Sequence, residues 1–275
     1  MSCIKNLEEI CHIKLKTIKA AIEINTKGLN ELLRIRMKMR FKKNTFIAKP
    51  IRISYEEKYQ FLHVMGDFLI PAEKKEEKLP VIVCVPDRGM NGFEAKKLAG
   101  KLLAKKGYRV FCYDYGENQR TTEEPTNEER AKCIVEVVKR IKKSKYTKEL
   151  FLLGIGRGAD DVENALGILS NDVDGLIFYY PEIEFSVFNS DFIEKCYQED
   201  KKVDRKNYCS KFRGPVLMVH GERDEIVSVK NVRNLLDFYE NATLNIISRE
   251  AHGFSVLGRK NAADLCENFI EKIVS

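Results

Sequence analysis

The chain has 275 residues, 44% of them hydrophobic, and a formal net charge of +7, so it is long and apolar enough to bury one large α/β domain. The charge is uneven, because residues 1–50 have a net charge of +8 and the remainder a net charge of −1. A nucleic-acid-binding domain carries its basic residues on the folded body, so this distribution argues against that function class.

The cysteines and the hydropathy pattern favour a cytoplasmic protein without a metal site. None of the eight cysteines forms a CxxC pair or a zinc-type spacing. The first 25 residues lack the continuous apolar stretch of a signal peptide, and no window approaches the ~20 apolar residues of a transmembrane helix. We therefore expect a reducing compartment, and neither a metal ion nor an organic cofactor.

Residues 1–48 are expected to form a basic N-terminal extension. Apolar residues at helical spacing predict a helix over 4–24, and residues 33–42 alternate strictly between apolar and basic side chains. This alternation favours a strand, but a second helix stays open because the residue types are good helix formers. The extension could bind weakly to an anionic membrane surface, form an edge strand with a solvated basic face, or mediate self-association.

From residue 49 to residue 275, strands and helices alternate. The predicted strands are 51–55, 61–70, 81–85, 109–113, 150–153, 175–180, 216–219 and 243–247. The predicted helices are 94–106, 127–143, 159–169, 230–239 and 260–273. The first two strands read as an antiparallel pair, and the later alternation predicts a mostly parallel, doubly wound sheet with helices on both faces. Residues 183–214 are irregular and read as a short cap.

One turn in this domain has the pattern of a nucleophile elbow without a nucleophile. Residues 151–158 read Phe-Leu-Leu-Gly-Ile-Gly-Arg-Gly, an apolar strand that runs into a glycine-rich turn before a helix. The central position of such a turn normally carries the attacking side chain, and here it carries Gly156. Asp224 and His252 follow in the order that a catalytic triad on this frame requires.

These residues resemble the α/β-hydrolase family over about residues 51–275. The resemblance rests on five segments in the family's order: 80–92, 106–111, 154–158, 215–224 and 250–254. Because no large lid is inserted between them, the chain is similar to the dienelactone-hydrolase and acylpeptidase-like members. The resemblance implies an α/β-hydrolase fold and a site at the carboxyl ends of the strands.

The resemblance also implies the roles of individual residues. Asp224 would orient His252, and His252 would act as the base. The oxyanion donors would be the backbone N–H of Arg157 and one N–H from the loop that contains Arg88, Gly89 and Met90. Simpler interpretations stay open: Asp224 as a helix cap, His252 as a surface histidine, and the two arginines as ordinary surface charges.

The function implied by the resemblance is hydrolysis of a carboxylic ester or similar small acyl substrate. With Gly156 in the nucleophile position, such activity would be absent or strongly impaired. Three explanations stay open: a pseudohydrolase that binds a small ligand or a protein partner, a dyad of Asp224 and His252 that survives as a general base, and an introduced glycine in a working serine hydrolase. Sequence alone does not separate them.

Overall fold

A mixed eight-stranded sheet organises the part of the chain that the computed structural model describes, which comprises residues 46–57, 60–115, 125–183 and 212–275. The strand order is β1-β2-β4-β3-β5-β6-β7-β8. The strands are β1 (Phe46–Glu57), β2 (Gln60–Pro71), β3 (Leu79–Val85), β4 (Arg109–Asp114), β5 (Thr147–Ile155), β6 (Gly175–Tyr179), β7 (Val216–Gly221) and β8 (Ala242–Ile247). Strands β3 to β8 are parallel, whereas β2 is antiparallel to both of its neighbours.

The antiparallel pair β1–β2 begins earlier than the sequence predicts. Strand β1 starts at Phe46, so residues 46–48 of the expected N-terminal extension belong to the sheet. The chain divides between Thr45 and Phe46, and the prediction for residues 1–45 lies outside the described residues. The same holds for most of the expected cap, because residues 184–211 are not described.

Helices cover both faces of the sheet, as the alternation of elements predicts. They are α1 (Gly92–Ala95), α2 (Lys101–Lys105), α3 (Asn127–Lys142), α4 (Gly158–Leu169), α5 (Val229–Leu235) and α6 (Val256–Val274). Apolar side chains of α3, α4 and α5 form one core, and those of α1, α2 and α6 form the other. No helix in the described part of the chain is long and apolar enough to cross a bilayer.

Two predicted helices are interrupted in the structure. The predicted helix 94–106 contains a π-helical turn at Lys96–Gly100 between α1 and α2, a single-turn irregularity that periodicity does not reveal. The predicted helix 230–239 is α5 followed by a 3-10 turn at Leu236–Phe238. Helices often tighten in this way near their ends, so the difference concerns the boundary and not the existence of the element.

Close packing between β5 and α4 explains the first glycine of the elbow. A Cβ atom at Gly154 would lie 2.6 Å from the Cα atom and 2.8 Å from the backbone nitrogen of Ala159. Both contacts are with backbone atoms, which cannot move aside without shifting the helix. The glycine therefore allows α4 to begin directly against the end of β5.

We expect Gly154→Ala to lower the free energy of unfolding by about 1–3 kcal/mol, because the added methyl group overpacks this junction. Urea denaturation of both proteins, followed by circular dichroism, measures the change. A loss below about 0.5 kcal/mol, which is typical of a neutral surface substitution, would contradict the close packing described here.

Candidate active site

The turn between β5 and α4 has the backbone of a nucleophile elbow. Gly156 has φ = +53°, a region that L side chains occupy only under strain. Its N–H donates to the carbonyl of Tyr179 over 3.0 Å, and its carbonyl accepts hydrogen bonds from the N–H groups of Ala159 and Glu182. These bonds tie the turn to the end of β6 and to the first turn of α4.

The space above Gly156 is filled by the side chain of Asp87, which follows β3. A Cβ atom built on Gly156 would lie 2.3 Å from Oδ2 and 2.4 Å from Cγ of Asp87. The carboxylate therefore lies where the side chain of an elbow nucleophile would begin. Asp87 is not among the site residues predicted from the sequence. It nevertheless follows the carboxyl end of a parallel strand, and site residues of such sheets usually lie there.

Two backbone N–H groups converge on the Asp87 carboxylate. Its Oδ1 accepts hydrogen bonds from the backbone N–H of Arg157 over 2.9 Å and from that of Arg88 over 2.8 Å. The resemblance implies the Arg157 N–H and one N–H from the loop of Arg88, Gly89 and Met90 as the donors to a reaction intermediate. In this structure they bind a carboxylate that belongs to the protein itself.

The other two residues expected in the oxyanion loop do not reach Asp87 Oδ1. The N–H of Met90 donates to the carbonyl of Asp87 over 3.0 Å, so it closes the turn of the loop. Gly89 has φ = +79° and occupies the bend of the same turn. Of the three loop residues considered, Arg88 alone aims its N–H at the carboxylate.

Opposing effects act on the pKa of Asp87. Burial raises this pKa above its ordinary value, whereas the hydrogen bonds from Arg157 and Arg88 lower it. The carboxylate of Glu182 raises it further, and the nearby His252 lowers it. The net direction is upward, so Asp87 exchanges its proton at a higher pH than an exposed aspartate does.

Asp224 and His252 form the hydrogen-bonded pair that the sequence order suggests. Nδ1 of His252 lies 2.8 Å from Oδ2 of Asp224, whose side chain is fully buried. Oδ1 of Asp224 accepts the N–H groups of Ile226 and Val227, and the helix α5 is capped by Ser228 instead. A buried carboxylate in this position fixes the orientation of the imidazole.

One aromatic side chain packs against the imidazole, and a second packs against the first. The ring of Tyr180 lies 4.5 Å from that of His252 between centroids, and Phe254 packs against Tyr180 at 5.1 Å. Tyr180 has φ = 37°, which is strained backbone for a tyrosine, directly after β6. Sequence reasoning missed Tyr180, because a tyrosine that ends an apolar strand looks like an ordinary core residue.

A model of the dienelactone hydrolase family matches residues 68–268, which is more than half of the chain. The chain belongs to the dienelactone hydrolase family. The match spans the Asp87 loop, the turn at Gly156, Asp224 and His252, so all the groups described above lie within the matched residues. No curated protein matches the chain.

Solved structures with the same fold include esterases and dienelactone hydrolases. The esterase Pf2001 of Pyrococcus furiosus has a TM-score of 0.66 at 15% identity, covering 85% of this chain and 94% of that one. The dienelactone hydrolase from Anabaena variabilis has a TM-score of 0.65 at 14% identity, covering 84% and 99%. Est1E from Butyrivibrio proteoclasticus has a TM-score of 0.61 at 14% identity, covering 81% and 98%. At these identities the likeness shows the fold alone.

In this member of the dienelactone hydrolase family, the backbone N–H groups of Arg88 and Arg157 bind Asp87. The guanidinium groups of the same two arginines form ion pairs with other acidic residues. Nε of Arg157 lies 2.8 Å from Oε1 of Glu182. The guanidinium of Arg88 reaches Asp160 at 3.2 Å and Asp161 at 3.5 Å in the first turn of α4. Neither charge is left unpaired to attract an anionic ligand.

The remaining histidine near the site, His220, is fully buried in β7. Its Nε2 lies 2.9 Å from the carbonyl of Val227 and 3.6 Å from Oδ2 of Asp224. Burial lowers the pKa of His220, which keeps the ring neutral. Its contacts hold the loop that carries Asp224. In the described part of the chain, no group of three or more His, Cys, Asp or Glu side chains is arranged to hold a metal ion.

Asp161, beneath the Asp87 loop, makes the stability of the site depend on pH. Burial raises its pKa from 3.8 to about 6, although Arg88, Arg130 and the hydroxyl of Tyr115 favour the charged form. Because the folded state holds this proton more tightly than the unfolded state, the contribution to stability is greatest below pH 4. It is lost as the pH rises through about 6.

We therefore expect the wild type to lose about 2 kcal/mol of stability relative to Asp161→Asn between pH 4 and pH 7, since the asparagine does not titrate. Urea denaturation of both proteins at several pH values gives this difference directly. A difference that stays constant over the range would show that Asp161 is not a raised, buried carboxyl.

Proposed function

We propose that this chain is an ester-hydrolase-type member of its family that is inactive or strongly impaired in acyl transfer through a serine-like nucleophile. The observation that carries the proposal is the position of the Asp87 carboxylate. It fills the space of the elbow side chain and accepts both backbone N–H groups that would stabilise a tetrahedral oxyanion.

Two separate losses act on acyl transfer. The missing hydroxyl or thiol at Gly156 removes the attacking atom, and loss of the nucleophile in a comparable triad costs on the order of 10⁶ in turnover. The occupied hole removes a second contribution, since one oxyanion donor alone supplies ~10²–10³. In acyl transfer, negative charge also develops on the carbonyl oxygen of the substrate. The Asp87 carboxylate would repel this oxygen, because both carry negative charge.

The alternative function is binding of a small acyl-like ligand or a protein partner without turnover. The occupied hole is compatible with it, because binding does not require an oxyanion site. The intact hydrogen bond between Asp224 and His252 favours retained proton chemistry over binding alone, since a buried carboxylate beside an imidazole serves to hold that ring in one orientation. We propose a small-molecule ligand and no nucleic acid for either function.

A cytoplasmic location belongs to the same proposal. Cys84 and Cys112 are register partners on the adjacent strands β3 and β4, and both are free, buried thiols. The pKa of the Cys84 thiol is raised by its hydrogen bond with Cys112 and by burial, so it stays protonated. Reduced neighbouring thiols are typical of a reducing compartment.

Hydrolysis of p-nitrophenyl butyrate tests the proposal. We expect no His252-dependent turnover by the wild type. Gly156→Ser alone is expected to remain inactive, because the serine Cβ would collide with the Asp87 carboxylate at 2.3 Å. The double variant Asp87→Gly/Gly156→Ser frees both the space and the two N–H groups, so it should release p-nitrophenol at a measurable rate that His252→Ala removes.

The matched control is Asp87→Asn/Gly156→Ser, in which the amide has the shape of the carboxylate without its charge. It still fills the space, so it should stay inactive. Wild-type turnover that His252→Ala abolishes would contradict the proposal, as would full activity of Gly156→Ser alone.

A further inference from the structure

The two oxygens of Asp87 have different surroundings. Oδ1 accepts both backbone N–H groups of the hole. Oδ2 lies 2.3 Å from the Cβ position of residue 156 and accepts no hydrogen bond from the described residues. Oδ1 is therefore held in place by hydrogen bonds, while Oδ2 lies where the side chain of a nucleophile at residue 156 would begin.

From this geometry we propose that Asp87 is itself the nucleophile of the site, and that it attacks a saturated carbon that bears an anionic leaving group. The inference rests on the proposed function above, in which the site has lost serine-type acyl transfer. Carboxylates form covalent intermediates in several enzyme classes, so the chemistry lies within the reach of an aspartate.

The first step is a displacement. Oδ2 of Asp87 forms a bond with the carbon of R–CH₂–X, and the C–X bond breaks as X⁻ leaves with its electron pair. The product is an alkyl ester of Asp87, and Oδ1 becomes the carbonyl oxygen of that ester. Oδ1 keeps its hydrogen bonds with Arg88 and Arg157, so no rearrangement of the loop is needed.

The second step is hydrolysis of this ester. A water molecule adds to Cγ of Asp87 while His252, oriented by Asp224, accepts its proton. Negative charge develops on Oδ1, which the N–H groups of Arg88 and Arg157 already bind. The bond between Cγ and Oδ2 breaks, so Oδ2 leaves with the alkyl group as an alkoxide. The alkoxide takes the proton from the imidazole, and the restored carboxyl group releases a proton to solvent.

The substrate class follows from the fact that Asp87 Oδ1 already occupies the two N–H groups. An acyl substrate must place its own carbonyl oxygen between the two N–H groups, where Oδ1 lies. A saturated carbon has no such oxygen and needs no hole in the first step. The N–H groups then act in the second step, on the ester that the protein itself carries. Primary alkyl halides are the simplest substrates of this class.

A single-turnover reaction in H₂¹⁸O tests the proposal, with protein in excess over 1-bromobutane. We expect one ¹⁸O atom in the peptide that contains Asp87 and none in the product alcohol, because water attacks Cγ of the aspartate. His252→Gln should retain the alkyl group on Asp87 as a mass adduct. Asp87→Asn should lower bromide release by on the order of 10³-fold.

The matched control is Asp114→Asn. Asp114 lies at the carboxyl end of β4 and does not contact the two N–H groups that bind Asp87. Bromide release by this variant should stay within about a factor of two of wild type. Asp114 accepts the N–H of Gly92, so thermal unfolding checks that the control variant is folded. Label found only in the alcohol, or no label on Asp87, overturns the proposal. If in that case the protein also does not hydrolyse p-nitrophenyl butyrate, this inference fails while the proposed function stands.

Discussion

Two backbone N–H groups that converge on one carboxylate oxygen define this site. The donors come from the residue after the elbow turn and from the loop after β3, and the acceptor is Oδ1 of Asp87. Because Gly156 carries no side chain, the carboxylate can lie over the turn. A side chain at residue 156 would fit only if the carboxylate moved away. The glycine and the aspartate are therefore two parts of one arrangement.

Packing around the hole holds this arrangement in place. The backbone of Arg88 binds Asp87, while its side chain binds Asp160 and Asp161 at the start of α4. The same residue thus links the loop after β3 to the helix that follows the elbow. On the opposite side, the buried Asp224 and the Tyr180 ring fix the imidazole of His252. Both sides of the site are consequently held by hydrogen bonds and packing around the Asp87 carboxylate.

The sequence predicts the fold and part of the site, for identifiable physical reasons. Strand and helix periodicity locates the parallel sheet, and the order of Gly156, Asp224 and His252 indicates which turns meet at its edge. The position of Asp87 could not be predicted, because it depends on the side-chain conformation of one loop residue and on space left by a missing Cβ. The turn that directs the Met90 N–H to the Asp87 carbonyl, and the π-helical turn at Lys96–Gly100, likewise arise from tertiary packing.

The most direct test of this account is an NMR pH titration of the backbone amides of Arg88 and Arg157 in the wild type and in Asp87→Asn. Both amide protons bind the same carboxylate oxygen, so we predict that their chemical shifts move together with one apparent pKa above that of an ordinary aspartate. The shared transition should be absent in Asp87→Asn. Amides that titrate independently, or that do not respond to Asp87, would contradict the central claim that this carboxylate occupies the oxyanion hole.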